Sequence, residues 1–151
     1  MLEWAILPFK RYFDFKGRSR RMEYWSFALL NFVVYAALVG LAIALGAPLM
    51  EMQTNPAAAE GFGGVAGIFL VLLGLYALAV LIPSIAVVIR RLHDRDMSGW
   101  WFLGYIVASL IPIINFIAGI ALLVFMFLPG TAGPNRFGPD PKDPASAEVF
   151  T

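Results

Sequence analysis

Three long apolar segments, separated by short polar ones, set the hydrophobic pattern of this chain. The apolar segments cover residues 25–46, 65–89 and 100–128, and none of them contains Asp, Glu, Lys or Arg. An uncharged apolar stretch of about 20 residues is long enough to cross the hydrocarbon core of a bilayer as one helix. The pattern therefore predicts an all-α integral membrane protein, built as a bundle of three long apolar segments.

The third apolar segment carries a proline near its middle, Pro112. As one helix, Trp101 to Leu128 would be about 42 Å long, against a hydrocarbon core of about 30 Å. Proline lacks an amide hydrogen, and its ring clashes with the carbonyl four residues earlier. We therefore predict that the segment splits at Pro112 to give four helices, with one long tilted span as the alternative.

The polar segments belong with the spans to a single membrane domain, residues 1–141. In chain order they are a cytoplasmic or interfacial lead, an outer loop, a cytoplasmic polar island and a proline-rich tail: residues 1–24, 47–64, 90–99 and 129–151. Four apolar residues of the lead recur at helical spacing and favour a short interfacial helix: Leu2, Ile6, Phe9 and Phe13. Ser19 is a candidate N-cap for the first span.

Composition agrees with a membrane protein and narrows the chemistry. The chain is 60% hydrophobic and 14% charged, whereas a soluble domain is about 45–50% apolar and about 25% charged. The absence of cysteine excludes disulfides and thiolate metal sites. A single histidine excludes metal sites that need two.

The distribution of Lys and Arg predicts the orientation. Six lie in the lead, none in the loop 47–64, three in the island 90–99 and two in the tail. Cytoplasmic loops carry the excess of these residues. The N-terminus and the island are therefore predicted inside, and the loop with Glu51 and Glu60 outside. The count leaves the side of the tail open, and four crossings would return it to the cytoplasm.

Three polar motifs flank the spans. They read FKGRSRRMEYW, RRLHDRDMSGWW and PGTAGPNRFGPDP, at Phe15–Trp25, Arg90–Trp101 and Pro129–Pro141. In order and spacing they resemble domain-of-unknown-function family eight hundred and five, the YhaH-like small inner-membrane proteins of bacteria. The resemblance implies a multi-pass protein of the bacterial inner membrane. It carries no activity and no catalytic residues over to this chain.

His93 and Asp94 are adjacent in the central motif and raise the question of acid–base chemistry. Neighbouring residues on a helix point about 100° apart, so another segment would have to orient the imidazole. We interpret the two residues as structural, with Asp94 paired to an arginine. A membrane enzyme that acts on a phosphate-bearing lipid, with His93 as base, is kept as an alternative.

Other kinds of chemistry are less favoured by the pattern. Asp94 and Asp96 could suggest a divalent metal, but three arginines within the same ten residues oppose it, so we predict neither metal nor cofactor. Transport usually leaves an ionisable residue inside a span, and these spans contain none; a small oligomeric transporter or channel is the third hypothesis. The basic residues lie beside membrane-entry points, where anionic lipid rather than nucleic acid is the nearest polyanion.

We predict that the three motifs form one polar cluster on the cytoplasmic face. The cluster would be structural first, and would bind anionic lipid headgroups or a protein partner, including a second copy of the chain. Its predicted members are Arg18, Arg21, Glu23, Arg90, Arg91, His93, Asp94, Asn135, Arg136 and Asp140. Four aromatic residues are predicted to anchor the spans at the headgroup level: Tyr24, Trp25, Trp100 and Trp101.

Overall fold

The computed structural model of the protein describes residues 1–44, 55 and 65–143. Within these residues the regular structure is helical, which confirms the all-helical prediction. The helices of the described residues are α1 (Leu2–Lys10), α2 (Arg21–Ala44), α3 (Val65–Asp94), α4 (Trp100–Ala108) and α5 (Pro112–Phe127). The predicted outer loop with Glu51 and Glu60 lies outside the described residues, as do the end of the first span and the end of the tail.

Helices α2 and α3 are long and apolar enough to cross a membrane. Their 24 and 30 residues correspond to about 36 and 45 Å. Only 11% of the most apolar 18-residue stretch of each helix is buried, which is the opposite of what the core helix of a soluble protein shows. Helix α3 also continues beyond Ile89 to Asp94, so the first half of the polar island is helical.

The third apolar segment contains two helices with a break at residues 109–111. Helix α4 ends at Ala108, the residue whose carbonyl the ring of Pro112 would meet in a continuous helix. Ile111 is extended, with φ −106° and ψ 116°, as expected for a residue that precedes proline. Pro112 then begins α5, where its missing amide hydrogen costs nothing. The number of membrane crossings stays a prediction.

The backbone forms two compact units, one of Met1–Phe27 with Ile82–Thr151 and the other of Ala28–Leu81. In the second unit, the hydroxyl of Tyr76 donates to Oδ1 of Asn31 at 2.9 Å. The ring of Tyr35 lies edge-on to that of Tyr76, with 5.2 Å between centroids. Helices α2 and α3 are therefore joined within this unit by a small polar and aromatic contact.

The N-terminal lead packs differently from the prediction. Helix α1 buries Ala5 and Pro8, and the ring of Phe9 lies 5.4 Å from that of Phe27. Leu2, Ile6 and Phe13 are exposed, and Phe13 lies beyond the helix. Leu2, Ile6 and Phe9 share one side of α1, where Phe9 also contacts the start of α2. Phe13 lies outside the helix and does not extend this face. Whether the exposed side lies in a membrane interface stays a prediction.

Candidate functional site

One buried carboxylate, that of Asp94, lies between two arginines in the first unit. Arg18 Nε donates to Oδ1 at 3.0 Å, and Arg91 Nη1 donates to Oδ2. Arg91 lies one turn before Asp94 on α3, whereas Arg18 comes from the lead, 76 residues away in sequence. All three side chains are at most 3% exposed. The end of α3 is thus tied to the segment that precedes α2.

The segment that follows α5 closes over the same carboxylate. The amide and the hydroxyl of Thr131 both donate to the backbone carbonyl of Asp94, at 2.8 and 3.2 Å. A Cβ at Gly130 would lie 2.7 Å from Oδ1 of Asp94 and closer still to its other carboxylate atoms. Position 130 therefore accepts only glycine without displacement of the Asp94 side chain.

The remaining donors of the two arginines reach backbone carbonyls. Arg18 donates to Gly133 O at 2.6 Å and to Thr131 O at 2.5 Å. Arg91 donates to Met126 O at 3.4 Å and to Leu128 O. Each guanidinium thus donates to one carboxylate and two backbone carbonyls, and Nη2 of Arg18 also lies 4.0 Å from Oδ1 of Asp140. Charge-assisted bonds of this kind are roughly twice as strong as neutral ones.

A second buried ion pair lies beside the first. Arg90 Nη2 donates to Oε1 of Glu23 at 2.7 Å, and both side chains are at most 2% exposed. Arg90 also donates to the carbonyls of Arg11 and Asp14, which holds the turn after α1. The amide of Ser19 donates to Arg90 O at 3.1 Å.

Ser19 is part of this pair rather than a helix cap. Its hydroxyl donates to Oε2 of Glu23 at 2.8 Å, and α2 begins only at Arg21. The predicted N-cap role of Ser19 is therefore wrong. The physical reason is that a hydrogen bond from the Ser19 hydroxyl to the ionised Glu23 carboxylate is stronger than one that the hydroxyl would accept from a backbone amide.

His93 is oriented by two other segments of the chain. Its Nδ1 lies 3.1 Å from the carbonyl of Gly17, and since a carbonyl can only accept, Nδ1 carries the hydrogen. The ring stacks on Phe137 with 3.9 Å between centroids and 5° between planes. Nε2 lies on the side of a cavity of about 470 Å³ that is lined by Gly99, Trp100 and other residues, most of them apolar. The neutral imidazole therefore presents a lone pair to this cavity.

The tail residues complete the outer part of the cluster. Asn135 Nδ2 donates to His93 O at 2.9 Å, while Arg136 and Asp96 form an exposed pair at 3.1 Å. Asp140 accepts from the amides of Lys142 and Gly133, at 2.9 and 3.0 Å. The bond from the amide of Lys142 does most to lower the pKa of Asp140 below its ordinary value. The amide of Gly133 and the nearby Arg18 act in the same direction, whereas partial burial opposes them.

The structure places the predicted site residues in three groups. The buried centre contains Arg18, Glu23, Arg90, Arg91, His93 and Asp94. Asn135, Arg136 and Asp140 border it, and Arg21 is exposed and donates to Phe127 O at 3.2 Å. Of the aromatic residues, Tyr24 lies edge-on to Trp25, which packs on Phe127 at 4.2 Å, whereas Trp100 and Trp101 are exposed.

Among the described residues no group of three His, Asp or Glu side chains could hold a metal ion.

Five contributors were not among the predicted members: Ser19, Arg95, Gly130, Thr131 and Phe137. All lie within the three polar motifs, so the motifs marked the right stretches. Their roles depend on backbone groups or on packing, which residue type alone does not reveal. Arg95, for example, donates to Pro129 O at 3.0 Å.

The fold and the site together define a class: an all-helical protein with two helices long enough to span a membrane and a buried arginine–carboxylate cluster that joins three polar motifs. The family model described as protein of unknown function (DUF805) matches residues 12–139. The chain belongs to this family, as its three motifs indicated.

Relatives from Escherichia coli align over most of the chain. Inner membrane protein YhaI of strain K12 is 37% identical, over 93% of this chain and 97% of its own length. Inner membrane protein YhaH of the same strain is 36% identical, over 93% and 98%. The uncharacterized protein YiiR is 32% identical, over 87% and 88%. No solved structure matches the chain.

Proposed function

We propose that the protein is a multi-pass bacterial inner-membrane protein whose polar cluster is a structural element on the cytoplasmic face. The cluster fixes the ends of the helices and leaves a basic rim, Arg21 and Arg95, that binds anionic lipid or a protein partner. The relatives YhaI and YhaH, both named inner membrane proteins, support the location. The apolar, largely exposed surfaces of α2 and α3 support membrane insertion.

The observation that carries the structural role is the internal pairing of the buried charges. Asp94 is shared by Arg18 and Arg91, and Glu23 is paired with Arg90. Buried side chains that are satisfied by each other and by backbone carbonyls are not available to bind a substrate. They hold helix ends together, because removal of one partner leaves an unpaired charge with poor solvation.

Contacts within the first unit support a common side for the lead and the tail. Arg18 in the lead donates to Gly133 O and Thr131 O in the tail. Helix α4 leaves the cluster shortly after α3 ends, and the end of α5 returns to it through Arg91. Helices α4 and α5 are about 14 and 24 Å long, shorter than a typical hydrocarbon core of about 30 Å. These lengths favour a short hairpin that either crosses a locally thinned bilayer or enters the membrane and returns without crossing it. With the lead inside, the tail is inside as well.

The topology can be tested with single cysteines, because the chain contains none. Cysteine at Lys142, which is exposed, should react with an impermeant thiol reagent only after the cells are permeabilised. Cysteine at Glu60, in the predicted outer loop, should react in intact cells and serves as the positive control. Reaction of position 142 in intact cells would overturn the common cytoplasmic side.

The structural role predicts a difference between neighbouring residues of the cluster. Asp94→Ala should lower the abundance of the protein in the membrane, whereas His93→Ala should lower it much less. Immunoblots of membrane fractions after matched expression would measure this. Equal abundance of the Asp94 variant and the unmodified protein would contradict a structural cluster.

A membrane enzyme with His93 as base is the second candidate function. The favouring observation is the orientation of the imidazole by Gly17 O and Phe137, which holds a neutral ring with Nε2 toward a cavity. A general base needs such orientation from a neighbour. The substrate class would be a phosphate-bearing lipid that enters the cavity from the membrane.

Headgroup release from defined vesicles distinguishes the two candidates. The purified protein in vesicles of phosphatidylglycerol and phosphatidylethanolamine would be followed by phosphorus NMR. Conversion that is lost in a stably folded His93→Ala variant would establish the enzyme. A lack of conversion by the unmodified protein would leave His93 as a packing residue of the cluster.

A further inference from the structure

An apolar groove runs between α4 and α5 in the first unit. It has a volume of about 380 Å³ and is lined almost entirely by apolar atoms, within the range of about 300–1,000 Å³ typical of ligand sites. Small residues line both helices, namely Gly104, Ala108, Ala118 and Ala121. At the end nearest the polar cluster it is bordered by Trp101 and Phe125. The groove thus has the shape and polarity for a hydrocarbon chain.

Two arginines with no carboxylate partner among the described residues lie at the cluster end of this groove. Arg95 donates one bond, to Pro129 O at 3.0 Å, and its Nε is buried without a partner. Its guanidinium lies over the ring of Phe125, 5.8 Å from the centroid. Arg21 donates to Phe127 O, two residues before the acceptor of Arg95. Positive charge therefore remains uncompensated where the apolar groove meets the polar cluster.

We propose that this groove binds one acyl chain of an anionic phospholipid, whose phosphate lies between Arg95 and Arg21. The inference rests on the membrane location and basic rim given under the proposed function, and it names the ligand and the residues. Arg18, Arg90 and Arg91 are excluded from this role because they are buried and each is already paired with a carboxylate. Arg95 becomes the principal headgroup residue for two reasons. Its guanidinium lies over Phe125, which lines the groove, and its Nε has no hydrogen-bond partner.

The occupant is a lipid because both halves of the site fit one amphipathic molecule. A groove lined by apolar atoms binds a chain without hydrogen-bonding groups, since a peptide backbone would leave polar groups unsatisfied there. An arginine pair at its mouth matches a phosphate, which accepts several charge-assisted hydrogen bonds. Each arginine near a membrane surface strengthens attraction to anionic lipid by about fivefold in binding.

Tryptophan quenching tests the site directly, because Trp101 lines the groove. A single-tryptophan protein is made with Trp4→Phe, Trp25→Phe and Trp100→Phe, and is reconstituted into phosphatidylcholine vesicles. Phosphatidylglycerol with brominated acyl chains is titrated in, and phosphatidylcholine with the same brominated chains is titrated in parallel. Bromine quenches tryptophan on contact, so occupancy of the groove is read from the loss of Trp101 fluorescence.

The expected result is stronger quenching by brominated phosphatidylglycerol than by brominated phosphatidylcholine, with the difference reduced at high salt. Arg95→Gln should lower the relative affinity for phosphatidylglycerol by about fivefold. Gly104→Leu should abolish the preference with all charges kept, because the space beside Gly104 is open and the new side chain fills the groove. Lys142→Gln is the matched control, since it also removes one positive charge but at an exposed position outside the three motifs; its preference should equal that of the parent protein.

Three outcomes would overturn the proposal. Equal quenching by the two lipids would remove the headgroup site, and an unchanged preference in Arg95→Gln would remove its principal residue. Weak quenching by both lipids, with a change of oligomeric state in Gly104→Leu, would assign the groove to a second copy of the chain. If the cysteine labelling still gives the predicted sides, the proposed function survives these failures; if the protein does not insert into vesicles, both fall together.

Discussion

Replacement of Asp94 by alanine removes the one carboxylate that neutralises two buried guanidiniums. Arg18 Nε lies 3.0 Å from Oδ1, and Arg91 bonds Oδ2 from the preceding turn of α3. The three side chains are almost entirely inaccessible to solvent. After the substitution, Arg91 keeps no carboxylate partner among the described residues, and the nearest carboxylate to Arg18 is that of Asp140, 4.0 Å from Nη2.

Loss of one partner from a buried ion pair costs about 3–5 kcal/mol in unfolding free energy. Both arginines keep two backbone carbonyl acceptors each, so their hydrogen bonds persist in part although their charge is uncompensated. We therefore expect Asp94→Ala to cost about 3 kcal/mol, at the lower end of that range. Natural domains have total stabilities of about 5–15 kcal/mol, so the variant should unfold at a clearly lower denaturant concentration or temperature.

The measurement is unfolding of the purified protein in detergent, followed by circular dichroism. Asp96→Asn is the control, because Asp96 lies two residues away and forms an exposed pair with Arg136 that contributes about 0–1 kcal/mol. Asparagine also tolerates the positive φ of 59° at this position. A loss in Asp94→Ala no larger than that in Asp96→Asn would refute the assignment of Asp94 as a shared counter-ion.

A double-mutant cycle isolates the interaction between Arg91 and Asp94. When both are replaced by alanine, the loss should be smaller than the sum of the two single losses by about 0.5–3 kcal/mol. The reason is that the second substitution removes a charge that the first has already left unpaired. Strict additivity would show that the two side chains do not interact, whatever their distance in the structure.

Two further predictions concern the tail. Gly130→Ala should destabilise the protein by about 1–3 kcal/mol in the same unfolding assay, because the new methyl group overlaps the Asp94 carboxylate. Gly119→Ala is the control: its position has open space, so the substitution should be neutral or slightly stabilising. Equal effects of the two substitutions would contradict the close approach of Gly130 to Asp94. Asp140→Asn should destabilise the protein at pH 7, and this effect should shrink as the pH falls below the ordinary Asp pKa of about 3.9. The reason is that the folded-state pKa of Asp140 is lowered, so the stabilisation by its ionised form is lost as the pH falls through that lowered value. A difference between Asp140→Asn and the unmodified protein that stays constant across the pH range would refute that linkage.

Helices were predictable where hydrophobicity alone determines them. The long apolar runs of α2 and α3 mark helices because membrane-compatible segments must satisfy their backbone groups internally. The break before Pro112 was predictable from the chemistry of proline. The helix ends were not, since α2 begins at Arg21 and α3 ends at Asp94, within polar motifs where ion pairs rather than hydropathy decide.

The site was predictable in composition but only partly in its contacts. The pairing of Arg91 with Asp94 follows from their spacing of three residues once α3 continues into the island. Arg18 is separated from Asp94 by 76 residues. Three arginines lie within four positions at the start of α2, namely Arg18, Arg20 and Arg21, so sequence offered no means to choose among them. The backbone acceptors of the cluster have no signature in residue type, because every residue carries a carbonyl.

The end of α5 explains why arginines from two motifs converge at one place. A helix leaves its last carbonyls without intrahelical donors, and α5 has no basic residue in its last turn to satisfy them. Arg91 donates to Met126 O and Leu128 O, and the carbonyls of Phe127 and Pro129 accept from Arg21 and Arg95. Four consecutive carbonyls are thus satisfied by side chains of α2, α3 and the turn after α3. The first two motifs thus supply the donors that the third apolar segment lacks.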